Sequence, residues 1–394
     1  MKKVLLFLTV SLISLSLVAV FSAGGCRTAP TVEEPVVEEP VVEETITIKV
    51  FTFGETYAVD DWVYPFEEKY NAKVERAYAG TVEEFFSKTL ATPETYNLVT
   101  SISNRVPMYY EQDLIQGVDK ERYENWDSLD PFFQEGLHPD FEPGKIFYVP
   151  QAWGIQGIIV NMDAVGEEVE EYITDHGIVR SISFDVLKDP RFKGQTALFD
   201  EACTITNMAA VAAGVPDPFN LDDEGYEAMA SELRAWAENA RALPPGFDAE
   251  KDVLVNEDAY ISLTGNDAMQ AIALPAEGVG DKFEHFLPTE GSVFWVDGWV
   301  ITKPTTGAIL DMSIKWADWT IGVEAQKMLA ELVGWGTVNP EGKAGMADEV
   351  RERTPWYAEE TLEGYPVPLY VFQPEEDPPR RERTWMEIKA AIGY

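Results

Sequence analysis

Apolar and polar residues alternate along Thr45-Ile46-Thr47-Ile48-Lys49-Val50-Phe51-Thr52-Phe53, the pattern of a half-buried strand, and the run stops near Gly54. Over residues 60–70 the spacing changes to that of a helix with Trp62, Val63 and Phe66 on one side. A strand is predicted at 72–77, a helix at 81–90 opened by a Thr-x-x-Glu-like cap, and a strand at 96–100. Strand and helix in alternation argue for an α/β lobe with a mainly parallel sheet. Ligands of such sheets sit beyond the carboxyl ends of the strands, which would bring residues 53–57 and 101–105 to one rim.

Phe147 to Ile155 runs into a further strand at 157–161, and Pro150 and Gly154 suit a crossover into another lobe. A short helix at 183–187, a turn at 190–194 and a strand at 196–199 lead to Asp200 and Glu201 at a helix start. Acidic groups there often act only as caps. A surface helix at 226–241 and a strand at 259–263 precede Thr264. Helices at 307–321 and 323–333 are followed by a turn-rich segment at 334–339.

Between these lies the most suggestive stretch, residues 291–302, a β-branched and aromatic run that reads as one strand. Side chains two apart on a strand share a face, so Trp295 and Asp297 point the same way. A carboxylate beside an indole can seat an organic cation through charge and cation–π contact. The same pair also suits a core tryptophan and a polar strand end.

The chain's beginning is of another kind. Met1-Lys2-Lys3 and the apolar run from Val4 to Phe21 read as a secretory signal, residues 1–25. Ser22-Ala23-Gly24-Gly25-Cys26 resembles the lipobox of bacterial lipoproteins, with Ala23 where leucine is usual, and implies lipidation of Cys26. Residues 26–45 repeat proline, valine and glutamate, which favours an extended acidic tether. With 69 acidic against 30 basic residues the formal charge is −39. Such a surface repels nucleic acid and draws cations toward any cleft.

No Gly-rich phosphate loop, His-Glu-x-x-His, Gly-x-Ser-x-Gly or clustered Cys/His set occurs, so neither an enzyme, a metal nor a cofactor is indicated. His138, His176 and His285 are scattered, and surface or loop positions are expected for them.

In this context the chain resembles bacterial periplasmic solute-binding proteins of ABC importers, most closely the spermidine/putrescine-binding branch. The resemblance rests on residues 96–99, 113–119, 125–131, 148–154 with Val160-Asn161, 189–194, and Phe294-Trp295-Val296-Asp297. It implies the two-lobe, type II periplasmic-binding-protein fold: each lobe a mixed, mainly parallel sheet flanked by helices, with a hinge between. Lobe 1 is expected over 46–150 plus about 297–345, and lobe 2 over 151–296 plus about 346–394. It further implies a monomer at the periplasm or cell surface, held to a bacterial membrane by its lipid. Closure on a small-molecule solute would be followed by delivery to an ABC permease.

For the site, the resemblance matches Trp295 and Asp297 directly, places Glu201 at an acidic pocket position, and puts Phe53, Glu55 and Tyr57 in an aromatic-rich first loop. The sequence departs from the branch after the third strand, where Ile102-Ser103-Asn104-Arg105 stands in place of a stretch with a serine and a tyrosine, at Thr204 in place of a second acidic residue, and at Thr264 in place of a tryptophan. Arg105 could be paired with a carboxylate, or could grip a zwitterionic or anionic ligand such as an amino acid derivative or phosphonate. A ligand-sensing lipoprotein would use the same clamp.

Overall fold

The computed structural model describes residues 45–54, 57–80, 82–134, 137, 141–177, 179–358 and 365–394. The signal segment 1–25, Cys26, the tether through Glu44, Glu55 and His138 lie outside the described residues.

The Ile46–Phe53 strand pairs parallel with Ala72–Ala79 over its whole length, burying Ile48, Val50 and Phe51. The Asp60–Tyr70 helix joins them, with acidic residues in its first turn and Asn71 in the left-handed conformation closing its last. Trp62, Val63 and Phe66 are its buried face, as the spacing predicts. Beneath, Phe66 meets the Trp316 ring edge-on at 5.0 Å, and Trp316 meets Trp299 at 6.2 Å. Burying each such ring contributes about 1.5–3 kcal/mol.

The first sheet runs in the order Gly336–Thr337, Val149–Ile155, Ser292–Ile301, Leu98–Ile102, Ile46–Phe53, Ala72–Ala79, and Leu369–Val371 also pairs with Ser292–Ile301. The second runs Ala240–Ala242, Thr196–Leu198, Ile261–Thr264, Gly157–Asn161, Phe283–Pro288, Arg180–Ile182, Ile173–Asp175. Both are mixed. Strands joined within a lobe by helices pair parallel, as Ile46–Phe53 does with Leu98–Ile102. Strands that cross from one sheet to the other enter antiparallel. The chain crosses at Gln156, between Pro288 and Ser292, and after Val371.

The C-terminal Pro378–Ile392 helix packs on the Ala202–Ala212 and Asp223–Asn239 helices of the second lobe. Asp200 holds it there, accepting from Trp385 Nε1 at 2.6 Å and Lys389 Nζ at 2.8 Å.

Two expectations are corrected. The third strand starts at Leu98 rather than 96, because Asn97 Oδ1 accepts the Lys49 N–H at 2.8 Å and so takes over the ladder's first bond. His285 is a buried strand residue, not a surface or loop one. Desolvation pushes its imidazole down to about 3, so it packs as a neutral ring.

Candidate functional site

Trp295 and Asp297 lie on the Ser292–Ile301 strand, which is buried along its length and belongs wholly to the first sheet. Trp295 stands opposite Gly154 on the neighbouring crossing strand. A Cβ on Gly154 would lie 2.2 Å from Trp295 Cζ2, so the indole occupies space that any other residue would fill. The register shifts between Asp297 and Gly298, where a Cβ would meet the Val149 carbonyl oxygen at 2.2 Å.

Around the pair the structure assembles an aromatic enclosure. Tyr57 donates its hydroxyl to Asp297 Oδ2 at 2.5 Å across a separation of 240 residues. The Trp335 ring lies edge-on to Trp295 at 5.4 Å and tilted against Tyr57 at 4.8 Å. Phe53 backs Tyr57 at 6.0 Å and meets Phe85 edge-on at 4.7 Å. The end of the first strand thus lies against this enclosure, and Ile102 at the end of the third strand pairs with Asp297.

Sequence reading did not single out Trp335. Its one local signal was a large ring between Gly334 and Gly336, just where the Val323–Val333 helix ends.

Burial pushes the Asp297 carboxyl up to about 7; the Tyr57 hydrogen bond opposes this and the charge of Glu201 adds to it. Glu201, at the N-cap of the Ala202–Ala212 helix on the second lobe, makes no cap bond and instead accepts from the Thr204 hydroxyl. It is solvent-accessible yet ringed by protein, and desolvation raises its pKa. Gln156, between the two sheets, donates to Thr204 Oγ1 at 2.8 Å and so ties the hinge to Glu201's support.

Arg105, in the single turn of 3-10 helix Ser103–Arg105 after the third strand, forms ion pairs of 3.5 Å with Glu83 and with the buried Glu375. Ser103 is fully buried, its hydroxyl without a hydrogen-bond partner among the described residues. Thr264 is also fully buried and donates to Glu250 at 2.9 Å. Glu250 in turn accepts from Ser262 at 2.6 Å.

A larger open groove of about 550 Å³ lies between the Asp60–Tyr70 and Val323–Val333 helices. Asp60, Asp61, Tyr64 and Leu332 line it, and it lacks the buried polar convergence of the cleft. Among the described residues no group of three side chains could hold a metal ion, and no helix is long and apolar enough to cross a membrane.

The model of a family described as bacterial extracellular solute-binding protein matches residues 61–356. A spermidine/putrescine-binding periplasmic protein of Salmonella typhimurium is 26% identical over 255 residues, 65% of this chain and 67% of the relative. A putrescine/agmatine-binding protein of Pseudomonas aeruginosa is 23% identical over 309 residues, 75% of this chain and 78% of that one. The crystal structure of a spermidine/putrescine ABC transporter substrate-binding protein from Streptococcus pneumoniae superposes with a TM-score of 0.69 at 20% identity, covering 88% of this chain and 100% of that one. That likeness carries the two-lobe fold.

Proposed function

The chain belongs to the bacterial extracellular solute-binding protein family, and from that premise we propose that it captures a small organic cation of the polyamine class between its lobes. It is a binding protein and not an enzyme, as its family and relatives are. The observation that carries the ligand class is the arrangement at Asp297: a buried carboxylate walled by Tyr57, Trp295 and Trp335. A methylene chain suits the rings, and an ammonium suits the carboxylate. Relatives named for spermidine, putrescine and agmatine support the same class.

An anionic solute fits poorly. Arg105 already has two carboxylate partners, and Glu201 and Asp297 would oppose a further negative charge. Delivery to an ABC permease, and attachment of the chain to a membrane through Cys26, complete the proposal. The strands crossing at Gln156 and between Pro288 and Ser292 provide the hinge about which the lobes close.

A thermal-shift screen of the purified protein tests the ligand class, with putrescine, spermidine, agmatine, amino acids and phosphonates as probes. A ligand at about 100 times its Kd stabilises by about 2.7 kcal/mol. A shift with amines alone is expected; a shift confined to phosphonates or acidic amino acids would overturn the proposal.

A further inference from the structure

Ile102 stands opposite Asp297 in the antiparallel pairing, and the chain then makes one turn of 3-10 helix to Arg105. Arg105 therefore follows within one turn of the residue that pairs with Asp297. It lines a cavity of about 90 Å³ together with Glu83, Glu201, Cys203 and Glu375, with Arg381 and Glu382 also in the wall. A space of that size would hold roughly three waters.

The arginine is well anchored. Glu375, its buried partner, accepts from Asn207 Nδ2 at 2.9 Å and from Cys203 Sγ at 3.1 Å. The Arg105 side chain is only 12% exposed. Glu201 lines this cavity with Arg105, and its charge acts on Asp297 and on Arg105 alike. Arg381, by contrast, is held by neutral acceptors, Asn207 Oδ1 at 2.8 Å and the Pro218 carbonyl at 2.6 Å.

We infer that Arg105 is a specificity-determining residue: a cation belonging to the protein that occupies the carboxylate-lined end of the cleft and so selects a short diamine over a longer polyamine. This rests on the cationic-ligand reading above. A second or third ammonium reaching past Glu201 meets a guanidinium already paired with the acids it needs. Arg105 has no means of yielding by deprotonation, because a guanidinium stays charged throughout the physiological range. Like charges brought together in an enclosed site oppose binding strongly. Putrescine, whose span is short, engages Asp297 and reaches Glu201 without entering the side of that cavity where Arg105 is paired with Glu83 and Glu375.

Isothermal titration of the purified protein with putrescine and, separately, spermidine tests this. The wild type is expected to bind putrescine about ten-fold or more tightly than spermidine, a discrimination that like-charge opposition readily sustains. Arg105→Met frees Glu83 and Glu375 for the ligand and should shift the ratio toward spermidine by about ten-fold or more. Arg105→Lys keeps the charge and should keep the wild-type order. Spermidine binding the wild type as tightly as putrescine would overturn the inference while leaving the amine reading intact, and this holds even if the methionine variant fails to fold. An unchanged ratio in a folded Arg105→Met would also overturn it. No binding of either amine to the wild type would overturn the underlying reading, and the inference with it.

Discussion

At Asp297 two demands compete. Burial among rings gives a ligand a dry, shaped seat, but it also disfavours the ionised carboxylate and lifts its pKa to about 7. A bound cation needs the ionised form, so proton and ligand compete for one group. Below about pH 7 the proton gains, and affinity for an amine should fall as pH drops; above it affinity should level off until the amine itself deprotonates near about 10. Asp297→Asn removes both the charge and the titration. Titration calorimetry should find it weaker by about 1.5–3 kcal/mol above neutrality, with a shallower profile than the wild type between about pH 5 and 8, the remaining slope coming from Glu201, whose pKa is also raised. A wild-type profile no steeper than the variant's would show that Asp297 does not meet the ligand. The Trp295–Asp297 pair was legible from strand alternation alone. Its partners Tyr57 and Trp335 were not paired with it by any local pattern, because their contacts join segments far apart in the chain.

At the scale of elements, the site depends on how closely two crossing strands approach. Gly154 leaves the hollow into which the Trp295 indole fits. Gly154→Ala should force that ring outward, costing about 1–3 kcal/mol of stability through overpacking. It should also weaken ligand binding more than a remote alanine does. Denaturant melts alongside calorimetry would check both effects, and an unaltered melt would mean that the sheet absorbs the methyl by shifting. The early helices and strands were readable because their apolar residues repeat at regular spacing. The Pro378–Ile392 helix was not: of its fifteen residues only Arg381, Trp385 and Ile388 are buried, and one of those is charged. Its start was nevertheless written locally, in Asp377, whose side chain caps the Arg380 N–H at 3.0 Å, followed by two prolines.

For the whole molecule, charge and burial together set the pH dependence of the unliganded state. Asp297, Asp267 and Glu250 are all raised to about 7 by desolvation, so the folded chain retains protons that the unfolded chain has released. Stability from these three is therefore present at low pH and lost as pH rises through about 7. His285 acts in the opposite sense: held neutral in the fold to about 3, it lowers stability as pH falls below its ordinary value of 6.5. Three carboxyls outweigh one imidazole, and mutual repulsion within a chain of formal charge −39 works in the same direction as the carboxyls. At the acid end, the carboxyls of Asp60, Glu84, Asp189 and Asp217 are lowered, so their stabilisation is lost as pH falls below about 4. The melting temperature without ligand should thus peak near about pH 5 and be lower at about pH 8. A maximum at or above neutrality would show that these carboxyls ionise freely in the fold.

By itself the sequence determined the α/β alternation, the face shared by Trp295 and Asp297, and the acidity of the surface, since each follows from short-range periodicity or composition. Tertiary structure alone decided that Tyr57 and Trp335 close around Asp297, that Thr264 turns inward to Glu250, and that Arg105 meets Glu83 and Glu375. Those outcomes depend on which segments the crossing strands bring together, and no local pattern of residues records the partner on the other side.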